Sequence, residues 1–121
     1  MSTDNNESNK TPPFSLLVTL QFQDDYSMQM FLNEFAKVAQ YVKEHEPSTL
    51  AYEVLLSDQD PLQVLLLERY RDKENAYLKI HKSSEPFLNF RPKLAQLQQE
   101  GKVTISGHSY NDSWVGFGDR T

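Results

Sequence analysis

The side chains in this sequence most able to move a proton near neutrality are His81 and Glu68, and each sits in a telling setting. An imidazole has an ordinary pKa of about 6.5, so His81 is a usable base at neutral pH. The bland alternative is a surface histidine at a helix C-terminus, where the helix dipole favours it. Glu68 lies inside an apolar run and shares its face with Leu62, Val64, Leu66 and Tyr70. Burial there raises a carboxyl pKa unless a cation answers it, as Arg69, Arg71 or Arg91 would in a structural ion pair. Tyr52 and Tyr70 occupy β-rich runs, where a ring buries area while its hydroxyl seeks a partner, and this suits contact with an aromatic ligand as well as ordinary core packing. Phe87 and Phe90 wall a cavity or pack the core. His45 and His108 have no second ligand at metal-site spacing, so no metal is expected.

Positioning these groups requires elements that the hydrophobic pattern defines. From Phe14 to Phe22, Phe14, Leu16, Val18, Leu20 and Phe22 alternate with mostly polar residues, which predicts a strand with one core face. Asp24 or Asp25 can cap a helix in which Met28, Phe31, Leu32, Phe35, Val38, Ala39 and Val42 recur at helical spacing until Glu46-Pro47. Thr49 to Ser57 and Leu62 to Tyr70 read as a hairpin about Asp58-Gln59-Asp60-Pro61. A second helical region starts near Asp72, breaks around Ser83 to Pro86 and stops at Gly101, and Lys102 to Tyr110 alternates as a last strand.

The order β-α-β-β-α-β predicts an α+β, ferredoxin-like domain over residues 14–110, with a four-stranded antiparallel sheet and its helices on one face. Leu62-Gln63-Val64-Leu65-Leu66-Leu67 is apolar on both faces, whereas helices cover only one. A second copy is the simplest cover, which predicts a homodimer, a dimeric α/β barrel whose two sheets enclose a cavity. Residues 1–13 are almost wholly polar and are expected to form a disordered tail. In residues 111–121, Trp114 and Phe117 stand in an otherwise polar end, which predicts docking on the partner subunit.

Composition removes several function classes. The 121 residues, 38% of them hydrophobic, suffice for one modest core. Cysteine is absent, so thiolate catalysis and disulfides are excluded. A formal net charge of −5 with scattered basic residues gives no phosphate-binding footprint, so nucleic acid is not an expected partner. No apolar stretch is long enough for a membrane span and the N-terminus has no apolar signal core, so no membrane association and a cytoplasmic location are expected.

Five strings occur in a meaningful order: Glu46-Pro47-Ser48-Thr49-Leu50-Ala51-Tyr52-Glu53, Glu68-Arg69-Tyr70-Arg71-Asp72, His81-Lys82-Ser83-Ser84-Glu85-Pro86-Phe87, Val103-Thr104-Ile105 and Gly107-His108-Ser109-Tyr110. Together they resemble the antibiotic biosynthesis monooxygenase domain, whose helix-end histidine is matched by His81. The segment from Asp72 to His81 is longer than the commonest family spacing, and Tyr70 stands where the family often has Trp.

The resemblance to the quinol-oxidising branch implies a cofactor-independent monooxygenase acting on a quinol or polycyclic phenol with molecular oxygen. The catalytic residues implied are His81 and Glu68, with Tyr52, Tyr70 and Phe87 binding substrate and no flavin, metal or other cofactor. A non-catalytic small-molecule carrier of the same fold is the alternative, because no independent enzyme motif is present. The haem-degrading branch fits less well, since of its Asn, Trp and His set only His81 is found; the isomerase branch shares the fold.

Overall fold

The computed structural model describes residues 11–120. Of the expected tail at residues 1–13, residues 1–10 lie outside the described residues. The elements are β1 (Phe14–Phe22), α1 (Asp25–His45), β2 (Thr49–Leu56), β3 (Gln63–Tyr70), α2 (Lys73–His81), α3 (Glu85–Gln99) and β4 (Val103–Asn111). The strands form one antiparallel sheet in the order β2-β3-β1-β4, the ferredoxin-like arrangement that the sequence pattern predicts.

Local chemistry sets the boundaries. Asp24 caps α1 by accepting a hydrogen bond from the Ser27 N–H at 2.8 Å. The β2–β3 turn is held by Ser57 Oγ, which accepts from the backbone N–H groups of Gln59 and Asp60, and by Asp60 Oδ1, which accepts from Leu62 N–H. Gly101, at φ +73°, ends α3 in the left-handed conformation that glycine adopts without a Cβ penalty. β4 runs one residue past the expected end, because Asn111 still pairs with Phe14 and the Asp112 N–H bonds Pro13 O.

Register fixes the two sheet faces. Leu20, Phe22, Val64, Leu66 and Val103 point toward the helices and bury against Met28, Phe31, Phe35, Val38 and Val42 of α1 and Phe90 and Leu97 of α3. A smaller cluster of Phe14, Tyr70 and Ala76 lies at the opposite end of β1 and β3, packed with Leu16 and Tyr77. The other face carries Leu17, Leu65, Leu67 and Leu55, with Leu55 40% exposed. Among the described residues no helix covers it.

The segment α2 departs from an ordinary helix, being wound with the wider i→i+5 spacing of a π-helix. Its Asp72 cap accepts from Asn75 N–H at 2.7 Å and Ala76 N–H at 3.0 Å. The Lys82 N–H closes the far end on Tyr77 O at 3.0 Å. The winding has a direct effect on burial. Winding wider than about 3.6 residues per turn carries His81 round toward the side of Ala76, from which an ordinary helix would turn it away. His81 is 0% exposed, whereas its neighbour Ile80 is 44% exposed.

Candidate functional site

The side chains singled out in the sequence meet at one end of the sheet, beneath the helices. β3 supplies Glu68 and Tyr70, β2 supplies Tyr52 directly across from Glu68, α2 supplies His81, and the first turn of α3 supplies Phe87. The His81 ring lies 5.0 Å from the ring centroid of Tyr52, 5.4 Å from Tyr70 and 4.7 Å from Phe87. All five predicted site residues therefore belong to one constellation. The face matters: they lie on the helix-covered side, within a single protomer. The face left open by the helices does not carry them, so these side chains do not line a cavity enclosed between paired sheets. The reason is register, since Glu68 and Tyr70 alternate with Leu67 and Arg69, and only the even-numbered set of β3 faces the helices.

His81 is not the surface histidine that its place at a helix end would allow. Its Nδ1 lies 3.0 Å from Oε1 of Glu46, the residue that caps α1, and both side chains are buried. The other ring nitrogen, Nε2, is buried with no partner, as is Glu46 Oε2. Burial lowers the His81 pKa below 6.5, and the hydrogen bond and charge of Glu46 oppose that shift without cancelling it. His81 is thus held as a neutral imidazole at neutral pH.

Glu68 is no ion-pair residue either. Its partner is the Tyr70 hydroxyl, which donates to Oε1 at 2.5 Å, and among the described residues no cation comes within salt-bridge distance. Arg69 points to the other face and lies 4.0 Å from Asp112. Burial pushes the Glu68 carboxyl up to about 7, only partly offset by the Tyr70 hydroxyl. The same burial, with the Glu68 charge nearby, drives the Tyr52 and Tyr70 hydroxyls well above the ordinary phenol range, so both remain protonated.

Sequence reasoning missed Glu46 and Tyr77. Tyr77 packs 5.0 Å from Tyr70 and 6.4 Å from His81, and four-residue spacing from His81 on one helix was its available signal. The signal for Glu46 was subtler: a carboxylate at a helix C-terminus opposes the dipole and is locally disfavoured. The constellation is closed in this conformation, with Tyr70 and His81 at 0% exposure and Glu68 at 8%. Grooves of about 480 and 530 Å³ open between α1 and α3, and neither is lined by His81, Glu68 or Tyr70. Among the described residues no helix is long and apolar enough to cross a membrane, and no group of three or more His, Cys, Asp and Glu residues is arranged to hold a metal ion.

An antiparallel ferredoxin-like sheet with a histidine, a buried carboxyl and phenolic rings gathered under its helices defines a class of small α+β proteins. Residues 13–93 match the family model for antibiotic biosynthesis monooxygenase, and the chain belongs to that family. Solved structures agree in fold. A protein from Caulobacter crescentus CB15, provisionally assigned as an antibiotic biosynthesis monooxygenase, is 20% identical with a TM-score of 0.66, covering 90% of this chain and 99% of its own. A similarly assigned protein from Nitrosomonas europaea is 18% identical with a TM-score of 0.68, over 88% and 95% of the two chains. A conserved protein from Methanosarcina mazei Go1 is 17% identical with a TM-score of 0.69, over 85% and 95%. At these identities the likeness concerns fold alone. No curated protein matches the sequence.

Proposed function

We propose that this protein is a monooxygenase that oxidises a quinol or polycyclic phenol with molecular oxygen, its own side chains supplying the base. The observation that carries this reading is the unpartnered Nε2 of a wholly buried His81, set among Tyr52, Tyr70 and Phe87, with the buried carboxyl of Glu68 bonded to the Tyr70 hydroxyl. A base of that kind takes the proton of a phenol in a site from which water is excluded. The phenolate then gives an electron to oxygen, and the radical pair recombines to form a carbon–oxygen bond at the ring. Loss of the ring proton with cleavage of the O–O bond leaves a quinone and one water, so that phenol plus dioxygen balances quinone plus water. Glu68, tied to Tyr70, holds the substrate oxygen, while Phe87 and Tyr52 flank its rings.

Access requires movement, since rings close the constellation. The short segment α2 carries both Tyr77 and His81, and its outward displacement opens the site. Two copies assemble through the open face of the sheet around Leu17, Leu65 and Leu67, leaving each site within its own protomer.

The test is oxygen uptake by the purified protein over a panel of quinols, repeated with His81→Ala and Glu68→Gln. The expected result is uptake with at least one quinol, reduced about 10²–10⁴-fold by His81→Ala, the usual range for loss of a general base. Unchanged rates in both variants reject the assigned roles. Tight retention of a quinol with no oxygen consumed rejects turnover in favour of a carrier.

A further inference from the structure

A buried carboxylate at the end of a helix is costly twice over. The dipole disfavours negative charge at a C-terminus, and desolvation disfavours the charge again. Glu46 occupies such a place: it is the C-cap of α1, only 2% exposed, and no Lys or Arg lies within ion-pair distance among the described residues. Its backbone is fully used, the N–H bonding Val42 O and the carbonyl accepting from Thr49 N–H, each at 2.9 Å. The side chain is therefore held from both sides of the chain. One carboxylate oxygen, Oε1, meets His81 Nδ1 at 3.0 Å and accepts from the Thr49 hydroxyl at 3.4 Å. Places where a sequence breaks a local rule this way are functional or strained.

We infer that Glu46 is a positioning residue, which fixes the Nδ1–H tautomer of His81 so that the lone pair of Nε2 faces the aromatic cluster as the proton acceptor. The inference rests on the reading of His81 as the base and deepens it. A carboxylate accepts only, so the shared hydrogen belongs to Nδ1, and Nε2 is left as an acceptor with no donor. When Nε2 takes a proton, the charge that appears on the ring stands 3.0 Å from the negative charge that stabilises it. The proton passes from a substrate hydroxyl to Nε2 and no electron moves in this step. The other titratable groups around the ring are phenols, Tyr52 from β2, Tyr70 from β3 and Tyr77 from α2, with Glu68 behind Tyr70; α3 contributes only the apolar Phe87. Among the described residues, Glu46 is thus the one group touching the ring that can hold the imidazolium.

Nitrogen NMR of the free wild-type protein tests the tautomer without any substrate, so its outcome is independent of whether a quinol is turned over. The expected spectrum at pH 7.5 shows His81 protonated at Nδ1 and bare at Nε2. Protonation at Nε2 instead overturns the inference while leaving the monooxygenase reading to the oxygen measurement. In Glu46→Gln, kcat with an active quinol is expected to fall on the order of 10²–10⁴-fold, the scale seen when a tautomer-fixing carboxylate is neutralised, with KM little changed. The His81 limb of the pH–rate profile should move to lower pH, because the negative charge that raises its pKa is gone. Glu46→Asp should restore part of the rate and the position of that limb. A Glu46→Gln protein whose tautomer and pH profile match wild type overturns the assignment, whatever its stability.

Discussion

Glu68 makes the site titrate in an unusual direction. Its folded pKa, about 7, lies above the 4.5 of a free glutamate, so the native protein holds the proton more tightly than the unfolded chain does. The stabilising contribution is complete below pH 4.5 and disappears as pH rises through about 7, a difference of roughly 3 kcal/mol for a shift of this size. His81 acts with the opposite sign, since its lowered pKa costs stability as pH falls below 6.5. Comparing wild type with Glu68→Gln separates the two. Urea midpoints for the variant should lack the decline of wild type between about pH 5 and pH 8, and parallel curves would show that Glu68 is solvated. His81 was legible as a candidate from its type and its match to the family's helix-end histidine, and Glu68 from the face it shares with Val64 and Leu66. Glu46 was not, because thirty-five positions separate it from His81 and only the fold joins them.

At the scale of elements, the winding of α2 decides which side chain enters the cluster. Alternation and helical spacing reveal β1, α1, the hairpin and β4 from the sequence, because each has one buried face of constant period. They do not reveal a π-helix, whose hydrogen-bond spacing leaves no such period in nine residues. The extra length between Asp72 and His81 was the visible trace of it. Truncating a buried isoleucine to Ala costs about 2–5 kcal/mol. Ile80 is 44% exposed, so Ile80→Ala should change stability by less than about 0.5 kcal/mol, as at other exposed positions, while His81→Ala is felt in the core. Thermal or urea unfolding of the two variants gives the comparison. A large loss for Ile80→Ala would show that Ile80 is a buried side chain of this segment.

At the scale of the whole molecule, the described residues present apolar surfaces that the helices leave bare: the sheet face around Leu17, Leu65 and Leu67, and the segment after β4, where Val115 is 84% and Phe117 72% exposed. We propose that a second copy covers both, with the tail extending from β4 onto the partner subunit. Sedimentation should find a dimer at micromolar concentration, Leu67→Asp should dissociate it, and removal of residues 113–121 should weaken it while keeping the Asp112 contacts to Pro13 and Arg69. A stable wild-type monomer would contradict the assembly. The period of β3, apolar on both faces, made the need for a cover readable from sequence, whereas the location of the candidate site under the helices followed only from register. Assembly and chemistry are therefore separable, and the chemistry has its own decisive measurement: anaerobic difference spectroscopy of a bound quinol, in which proton transfer is seen without oxidation. Wild type should convert the absorption of the bound phenol to that of the phenolate, and His81→Ala should bind the quinol without that change. A phenol spectrum that stays unionised in wild type, or ionises equally in the variant, would contradict His81 as the base.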